Sequence, residues 1–266
     1  MAPDRDRSWV GSMAEIYDRH LGPAVFHPFA VDLARRAAAG RARRVLEVAA
    51  GSGVVTRALV AALPDATVVA TDLNPAMART GVDKVPQAHW AVADAQRLPF
   101  REGRFDLFVC QFGVMFFPDR PAAFAQARRV LAPGGRLLVN TWYTADTNGF
   151  EVALREGLRA AFPDDPPRFL EDIPHGYHDL DRIVADVRAA GFTAVAAETV
   201  TLTGHAGSAA DIAIGYCTGT PLRAGIESRG DLAATTAVVE RAVAGQLGTG
   251  PIAAEMTAHV VEAHRA

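Results

Sequence analysis

The stretch Val45-Leu46-Glu47-Val48-Ala49-Ala50-Gly51-Ser52-Gly53-Val54-Val55-Thr56 constrains this chain more than any other. An apolar strand carrying one acid enters a glycine turn and leaves it as an apolar helix. Glycine, having no Cβ, lets the backbone bend sharply there and come into contact with a ligand. A second acid, Asp72, closes the next strand, Thr67-Val68-Val69-Ala70-Thr71-Asp72. In strand-turn-helix units of this kind a carboxylate so placed accepts hydrogen bonds from a ribose. The two features together predict an adenosine-containing cofactor.

The charge pattern narrows the choice. In a dinucleotide fingerprint the third glycine of G-x-G-x-x-G packs helix on strand, and the first helical turn holds a pyrophosphate. Thr56 stands at that third position. Glu47, four residues before the turn, is ill placed beside a pyrophosphate but suits a ligand carrying an ammonium and a sulfonium, which favours S-adenosylmethionine. A nicotinamide oxidoreductase is further disfavoured by the lack of a Tyr-x-x-x-Lys pair, because Lys84 has Thr80 four residues before it.

With 266 residues, 50% of them hydrophobic, the chain can bury a sizeable core as one large domain or one domain with an inserted cap. A net charge of -3 and dispersed arginines leave no basic footprint, so nucleic acid is not an expected partner. Met1 to Arg7 is charged and lacks the apolar core of a signal peptide. No apolar run approaches the ~20 residues that span a bilayer. Cys110 and Cys217 lie far apart, and free thiols in a cytoplasmic setting are the simplest expectation. The pattern specifies no oligomeric state.

Periodicity predicts a helical segment from about Trp9 to Gly40, with Met13, Ile16, Tyr17, His20 and Leu21 at 3/4 spacing. Strands then alternate with helices: Arg44–Ala49, helix Gly53–Leu63, Thr67–Asp72, helix Pro75–Val82, His89–Ala93, Phe105–Gln111, helix Pro121–Leu131 and Arg136–Trp142. The strands are continuous apolar runs, as in a parallel sheet covered on both faces. From Asn148 the pattern changes, and Phe162-Pro163-Asp164-Asp165-Pro166-Pro167 breaks a helix. Helix Leu180–Ala190, strand Ala194–Leu202, a helical insertion over roughly 208–247 and a last strand near Met256–Ala263 complete the reading.

Further motifs follow in order: Ala91-Val92-Ala93-Asp94-Ala95 before Leu98-Pro99-Phe100, then Phe105-Asp106-Leu107-Phe108-Val109-Cys110-Gln111, then Arg129 to Val139 around Ala132-Pro133-Gly134-Gly135. With Glu47 and Asp72, this series resembles the class I S-adenosylmethionine-dependent methyltransferases, in the group similar to the ubiquinone/menaquinone-biosynthesis C-methyltransferases. Pro174-His175-Gly176-Tyr177-His178-Asp179 and Ala189-Ala190-Gly191-Phe192 extend the likeness over nearly the whole chain. One residue departs from the family pattern: Ala49 occupies the place of the first glycine, which the loop tolerates if its φ stays negative.

The resemblance implies an α/β, Rossmann-like seven-stranded sheet, mostly parallel, whose last strand is antiparallel and slotted between strands five and six. It implies a single domain over 1–266, with an N-terminal helical lid (1–40), a cofactor-binding core (41–147) and helical cap insertions (148–179 and 204–250) forming the acceptor pocket. For S-adenosylmethionine it implies Ala49, Ala50, Gly51 and Gly53 beside the methionine moiety, with Glu47 ordering the loop and meeting the amino group. Asp72 would chelate the ribose hydroxyls, Leu73 and Met77 would flank the adenine, and Asp94 and the Ala95 amide would bond its edge. Gln111 and Phe112 would line the methionine side, and Tyr17 would close over the sulfonium. Local alternatives exist: Asp72 before Asn74-Pro75 could only cap a helix, Asp94 a turn, and Met77 could be plain core.

Methyl transfer asks little of side chains, because the sulfonium already activates the methyl group and the enzyme mainly aligns an acceptor and removes a proton. His175 and His178 are the candidate bases, oriented by a neighbouring acid. The alternative is that Tyr177 and His178 pack a cap while Asp179 caps the helix from Leu180. A metal there is not expected, for want of a third distant ligand. His20, Trp142, Tyr143 and Tyr177 are candidate walls of the acceptor pocket. The leading reading is methyl transfer to a small or medium-sized organic acceptor, a secondary metabolite or quinone-like ring, on oxygen or carbon. Alternatives are a peptide or carboxylate O-methyltransferase and a catalytically silent cofactor-binding partner subunit.

Overall fold

A computed structural model describes residues 12–266, so the predicted helical start at Trp9 and the charged Met1–Arg7 stretch lie outside the described residues. The chain divides into two compact units. One comprises Phe29–Tyr143, Tyr177–Val200 and Ala258–Ala266; the other holds the described residues up to Pro28, Thr144–Gly176 and Thr201–Thr257.

The first unit is built on strands β1 (Arg44–Val48), β2 (Thr67–Asp72), β3 (His89–Val92), β4 (Phe105–Gln111) and β5 (Leu131–Trp142), with β6 (Thr193–Ala206) and β7 (Ile252–His264) completing the sheet. The seven strands run in the order β3-β2-β1-β4-β5-β7-β6. The first five pair in parallel, whereas β7 is antiparallel to β5, from Arg136 opposite His264 to Trp142 opposite Ala258. The expected sheet, with its reversed last strand between β5 and β6, is therefore present. β1 and β4 are buried almost throughout, as their unbroken apolar runs require. Val45, Leu107, Val109, Leu138 and Val260 from the strands pack with Leu33 of helix α2 (His27–Ala38) and with Val55 and Leu59 of α3 (Val54–Ala62).

Helix starts follow local chemistry. At α4 (Pro75–Lys84) the Asn74 side chain accepts from the amides of Ala76 and Met77, and Pro75 occupies the first turn, where no N–H is needed. Asp119 and Asp179 cap α5 (Arg120–Val130) and α8 (Leu180–Ala189) in the same way. β5 begins at Leu131 rather than Arg136, because the Pro133-Gly134-Gly135 turn stays in the strand as an irregularity, with a register shift between Phe105 and Leu107 on its partner.

The second unit is mainly helical: α1 (Met13–Ile16), a π-helical segment Tyr17–Phe26, α6 (Gly149–Ala161), α7 (Phe169–Asp172), α9 (Ala209–Gly219), α10 (Leu222–Glu227) and α11 (Leu232–Leu247). The uniform helix expected up to Gly40 is thus widened over ten residues. Pro23 lies inside that segment and has no N–H to close an α-type bond. α6 ends at Ala161, before the proline-broken run, and packs so closely on α11 that a Cβ at Gly157 would lie 2.6 Å from Val239 Cα. Among the described residues no helix is long and apolar enough to cross a membrane.

Candidate active site

The sheet order places β1 between β2 and β4, so β1 is the strand at which the chain changes direction of progress. Ligands of open α/β sheets bind outside the carboxyl ends of strands at such a switch point. The loop after β1 is tied there: the Ala50 amide bonds Thr71 O at 3.0 Å, and Gly51 N donates to Asp72 Oδ2 at 2.8 Å. Asp72 Oδ1 accepts from Asn74 N at 2.8 Å. Asp72 therefore does not cap α4, a task that Asn74 performs; it clamps the glycine loop to the end of β2.

Ala49 does not meet the condition of a negative φ. Its φ is +50°, followed by Gly51 at +57° and Gly53 at +90°. The turn needs left-handed backbone at that position whatever its residue, and an alanine there costs about 1–2 kcal/mol. Phe112, after β4, also has φ +50°. Its amide is gripped by Asn140 Oδ1 at 2.9 Å and Asn140 O at 3.2 Å. The next residue shows what makes room for the alanine: a Cβ on Gly113 would sit 2.5 Å from Ala49 Cβ and 2.7 Å from Cys110 Sγ.

Glu47, on β1, is 1% exposed. Burial pushes its carboxyl up to about 8; Thr56 opposes the shift and Asp72 adds to it. Although Thr56 is close, neither Glu47 Oε2 nor Thr56 Oγ1 has a partner of hydrogen-bonding geometry, and Ser52 Oγ and Asn140 Nδ2 are likewise buried without one. Native proteins leave few such groups, and orphans gathered around a ligand loop mark where a polar ligand is to be received. Beside Gly51 the space a Cβ would occupy is open, with nothing within 4 Å. An open cradle, orphaned polar atoms and a buried acid fit a ligand that carries an ammonium.

The remaining predicted residues of this unit lie at the same strand ends. Leu73 is 40% exposed, while Met77 and Ala95 are buried. Asp94 accepts from Gln96 N at 2.8 Å and Gln96 Nε2 at 3.1 Å, a turn cap with a carboxylate. Gln111 ends β4 opposite Asn140. Phe112 stacks on Trp142 at 3.7 Å, and Phe29 meets both rings edge-on. Tyr143 lies against the His259 ring at 4.8 Å.

The histidine cluster does not act as one group. Tyr177 and His178 belong to the sheet unit, and His175 to the helical one. Tyr177 is 1% exposed, donates to Asp186 Oδ2 at 2.6 Å, and lies under the Arg120 guanidinium at 4.2 Å, so it is a packing residue here rather than an open wall. His178 is exposed, and its carbonyl accepts from His259 Nε2 at 3.0 Å. That bond fixes the His259 tautomer, leaving Nδ1 to accept from the Thr199 hydroxyl at 2.9 Å. The neighbouring acid Asp179 caps α8, accepting from the Arg182 amide.

In the helical unit His175 is 3% exposed and its Nε2 lies 2.7 Å from Glu151 Oε2. The other oxygen of Glu151 accepts from Tyr216 OH at 3.0 Å and Asn148 Nδ2 at 3.2 Å. Sequence reading missed Glu151, Asn148 and Tyr216, and it also missed Asn140; an acid on the buried face of an amphipathic helix was the one available signal for Glu151. Tyr17 stacks on Phe26 at 4.8 Å, and His20 Nδ1 pairs with Asp211 Oδ1 at 2.9 Å. Among the described residues no three His, Cys, Asp or Glu side chains form a metal-holding group.

Comparison with known proteins bears on this arrangement. The family described as "Methyltransferase domain" matches residues 45–135. The ubiquinone/menaquinone biosynthesis C-methyltransferase of Burkholderia vietnamiensis is 34% identical over 165 residues, covering 57% of this chain and 68% of that protein. An uncharacterized protein of Mycobacterium tuberculosis is 39% identical over 126 residues, 46% of this chain and 45% of its own length. Phosphoethanolamine N-methyltransferase 2 of Haemonchus contortus, solved with phosphomonomethylethanolamine and S-adenosylhomocysteine, shares the fold, with a TM-score of 0.63 at 15% identity over 98% of this chain and 59% of that one. The chain belongs to the class I S-adenosylmethionine-dependent methyltransferases, in the group similar to the ubiquinone/menaquinone biosynthesis C-methyltransferases.

Proposed function

We propose that this methyltransferase acts on a small or medium-sized organic acceptor, a quinone-like or other aromatic ring, at carbon or oxygen. The observation that carries the reading is the loop clamp: Asp72 holds Gly51 N at 2.8 Å at the switch point of the sheet, and Phe112, stacked on Trp142, follows the neighbouring strand β4. The relatives' C-methylation in ubiquinone and menaquinone biosynthesis supports the ring acceptor. An apolar helical unit containing Phe150, Phe162, Phe169 and Ile173 also favours an aromatic or lipid-like acceptor over a sugar.

S-adenosylmethionine, when bound, supplies a methyl group activated by its sulfonium. The residues assigned to it are Glu47 toward the ammonium, Ala49, Ala50, Gly51 and Gly53 along the methionine backbone, and Asp72 at the ribose. Leu73, Met77, Asp94 and Ala95 are assigned to the adenine, and Gln111 and Phe112 to the methionine side. Where the acceptor loses a proton, His175 is assigned as its recipient. The Glu151 carboxylate at 2.7 Å supports this, because an acid at one ring nitrogen orients the imidazole.

The test is calorimetric titration with S-adenosylhomocysteine, with NAD as control and the Asp72→Ala variant alongside, followed by mass-spectrometric screening of acceptors. Micromolar affinity, about -8 kcal/mol, lost in the variant, is the expected outcome. NAD binding with equal affinity would sink the cofactor assignment. Methylation of a peptide carboxylate but of no aromatic ring would sink the acceptor class.

A further inference from the structure

Glu47 is the buried acid whose state the loop geometry leaves to be explained. Its Oε2 makes no hydrogen bond, and the side chain sits on a strand flanked by β2 and β4. The titratable groups acting on it are Asp72 from β2 and Cys110 from β4, and α3 adds the Thr56 hydroxyl and amide, which favour the charged form but are outweighed by burial. No arginine, lysine or histidine is among them. Cys110 is itself a neutral thiol, pushed up by burial to about 12. With the residue 1% exposed and no countercharge among these groups, burial favours the neutral acid.

We propose that Glu47 makes cofactor capture proton-coupled and selective for a cationic headgroup: the neutral acid of the free protein gives its proton to solvent as the ligand's ammonium settles beside it. This rests on the S-adenosylmethionine reading above. The balance is simple: the O–H bond of Glu47 ionises, one proton passes to the buffer, and a carboxylate-ammonium pair remains. No other bond changes.

Two consequences follow from linkage. Because the free-state carboxyl titrates near 8, the free protein must surrender a proton at lower pH, and affinity for S-adenosylhomocysteine rises by about tenfold between pH 6 and pH 7. It levels off as Glu47 ionises unaided. By contrast, 5'-methylthioadenosine offers the same nucleoside with no ammonium. It gives Glu47 nothing to pair with, so it binds with flat pH dependence and no proton exchange.

The experiment is calorimetric titration of the whole chain with both ligands from pH 6 to pH 8, in two buffers of different ionisation heat. About one proton released per S-adenosylhomocysteine at pH 6.5, none for methylthioadenosine, and loss of both release and pH slope in Glu47→Gln are expected. Loss of a protonated-carboxyl infrared band when S-adenosylhomocysteine binds to the wild-type chain is expected too, and it supplies a readout should the variant fold poorly. Binding of S-adenosylhomocysteine at constant affinity with no proton exchanged overturns the coupling and leaves the cofactor reading standing. Release that persists in a folded Glu47→Gln variant also overturns it, because another group is then titrating. Failure of both ligands to bind at any pH overturns the coupling together with the reading beneath it.

Discussion

Glu47 in the sheet unit and Glu151 in the helical unit are almost equally buried, at 1% and 2% exposure, yet their surroundings differ in kind. Glu151 is met by an imidazole, a phenol and an amide, one partner on Oε2 and two on Oε1. Glu47 has an oxygen with no partner and another acid nearby. Burying a carboxyl group is unfavourable in either place. In the helical unit the chain offsets that penalty with its own side chains; in the sheet unit it leaves the penalty standing. The contrast separates a carboxyl that the protein satisfies with its own side chains from one that it leaves short of a partner, and it can be attacked from both sides.

The largest effect should come from Asp72→Ala. Removing the carboxylate that clamps the loop, and to which the ribose is assigned, is expected to weaken S-adenosylhomocysteine binding by at least about 100-fold, from loss of two or more charge-assisted hydrogen bonds at about 1.5–3 kcal/mol each. Calorimetry would show it, and a change below tenfold would mean that the loop does not hold the ligand through Asp72.

Next in size is the pair that tests the contrast directly. Glu151→Ala should destabilise the chain by about 3–5 kcal/mol, because His175, Tyr216 and Asn148 lose their shared acceptor inside the unit. Glu47→Gln, which mimics a neutral acid, should stay within about 1 kcal/mol of wild type at pH 7. Urea denaturation of both would decide; equal losses would erase the distinction.

A smaller effect is expected at the crowded loop. Gly113→Ala should cost about 1–3 kcal/mol through the clash with Ala49 Cβ and Cys110 Sγ, and Ala49→Gly should recover part of it while relieving the left-handed alanine. A double-mutant cycle with no coupling would show that the two residues do not share the space. The cycle also sharpens the comparison, since it measures strain held beside the incomplete acid.

The mildest signal is the pH dependence of stability. Glu47 has a folded pKa raised from 4.5 to about 8, so its contribution is full below the unfolded value and is lost as pH rises through that window. The slope is at most about 1.4 kcal/mol per pH unit, and Glu47→Gln should flatten it. His259 works in the opposite sense: burial lowers its pKa below 6.5, so its contribution is present above that value and fades as pH falls. Unfolding free energies of the ligand-free protein at pH 5 to 8 would separate the two. A wild-type curve that rises toward pH 8 would refute the neutral state of Glu47.

Much of the sheet unit was legible because its signals are local. Apolar runs of strand length, the glycine turn, Asp72 and the Asn74-Pro75 helix start each sit within a few residues of what they act on. The boundaries drifted where a local pattern met a longer-range constraint: Leu131 to Gly135 read as the end of a helix and a turn, but pairing with β4 drew it into β5. The backbone of Ala49 was out of reach of such signals. A sequence shows that a residue differs from its family pattern, whereas the sign of φ depends on where the loop's two ends are pinned, here by Thr71 and Asp72.

The histidine motif divides the same way. Asp179 capping Leu180–Ala189 was readable, since a cap and its helix are adjacent in the chain. The acid beside His175 was not, because Glu151 is 24 residues away on α6 and Tyr216 reaches it from 65 residues further on. The sequence by itself determined the strand order's raw material, the ligand loop and the acid that closes β2, all of them consequences of short-range backbone geometry and period. Only the tertiary structure decided which buried acids are satisfied and which are not, because hydrogen-bond satisfaction is a property of three-dimensional neighbours and the spacing along a chain does not encode it.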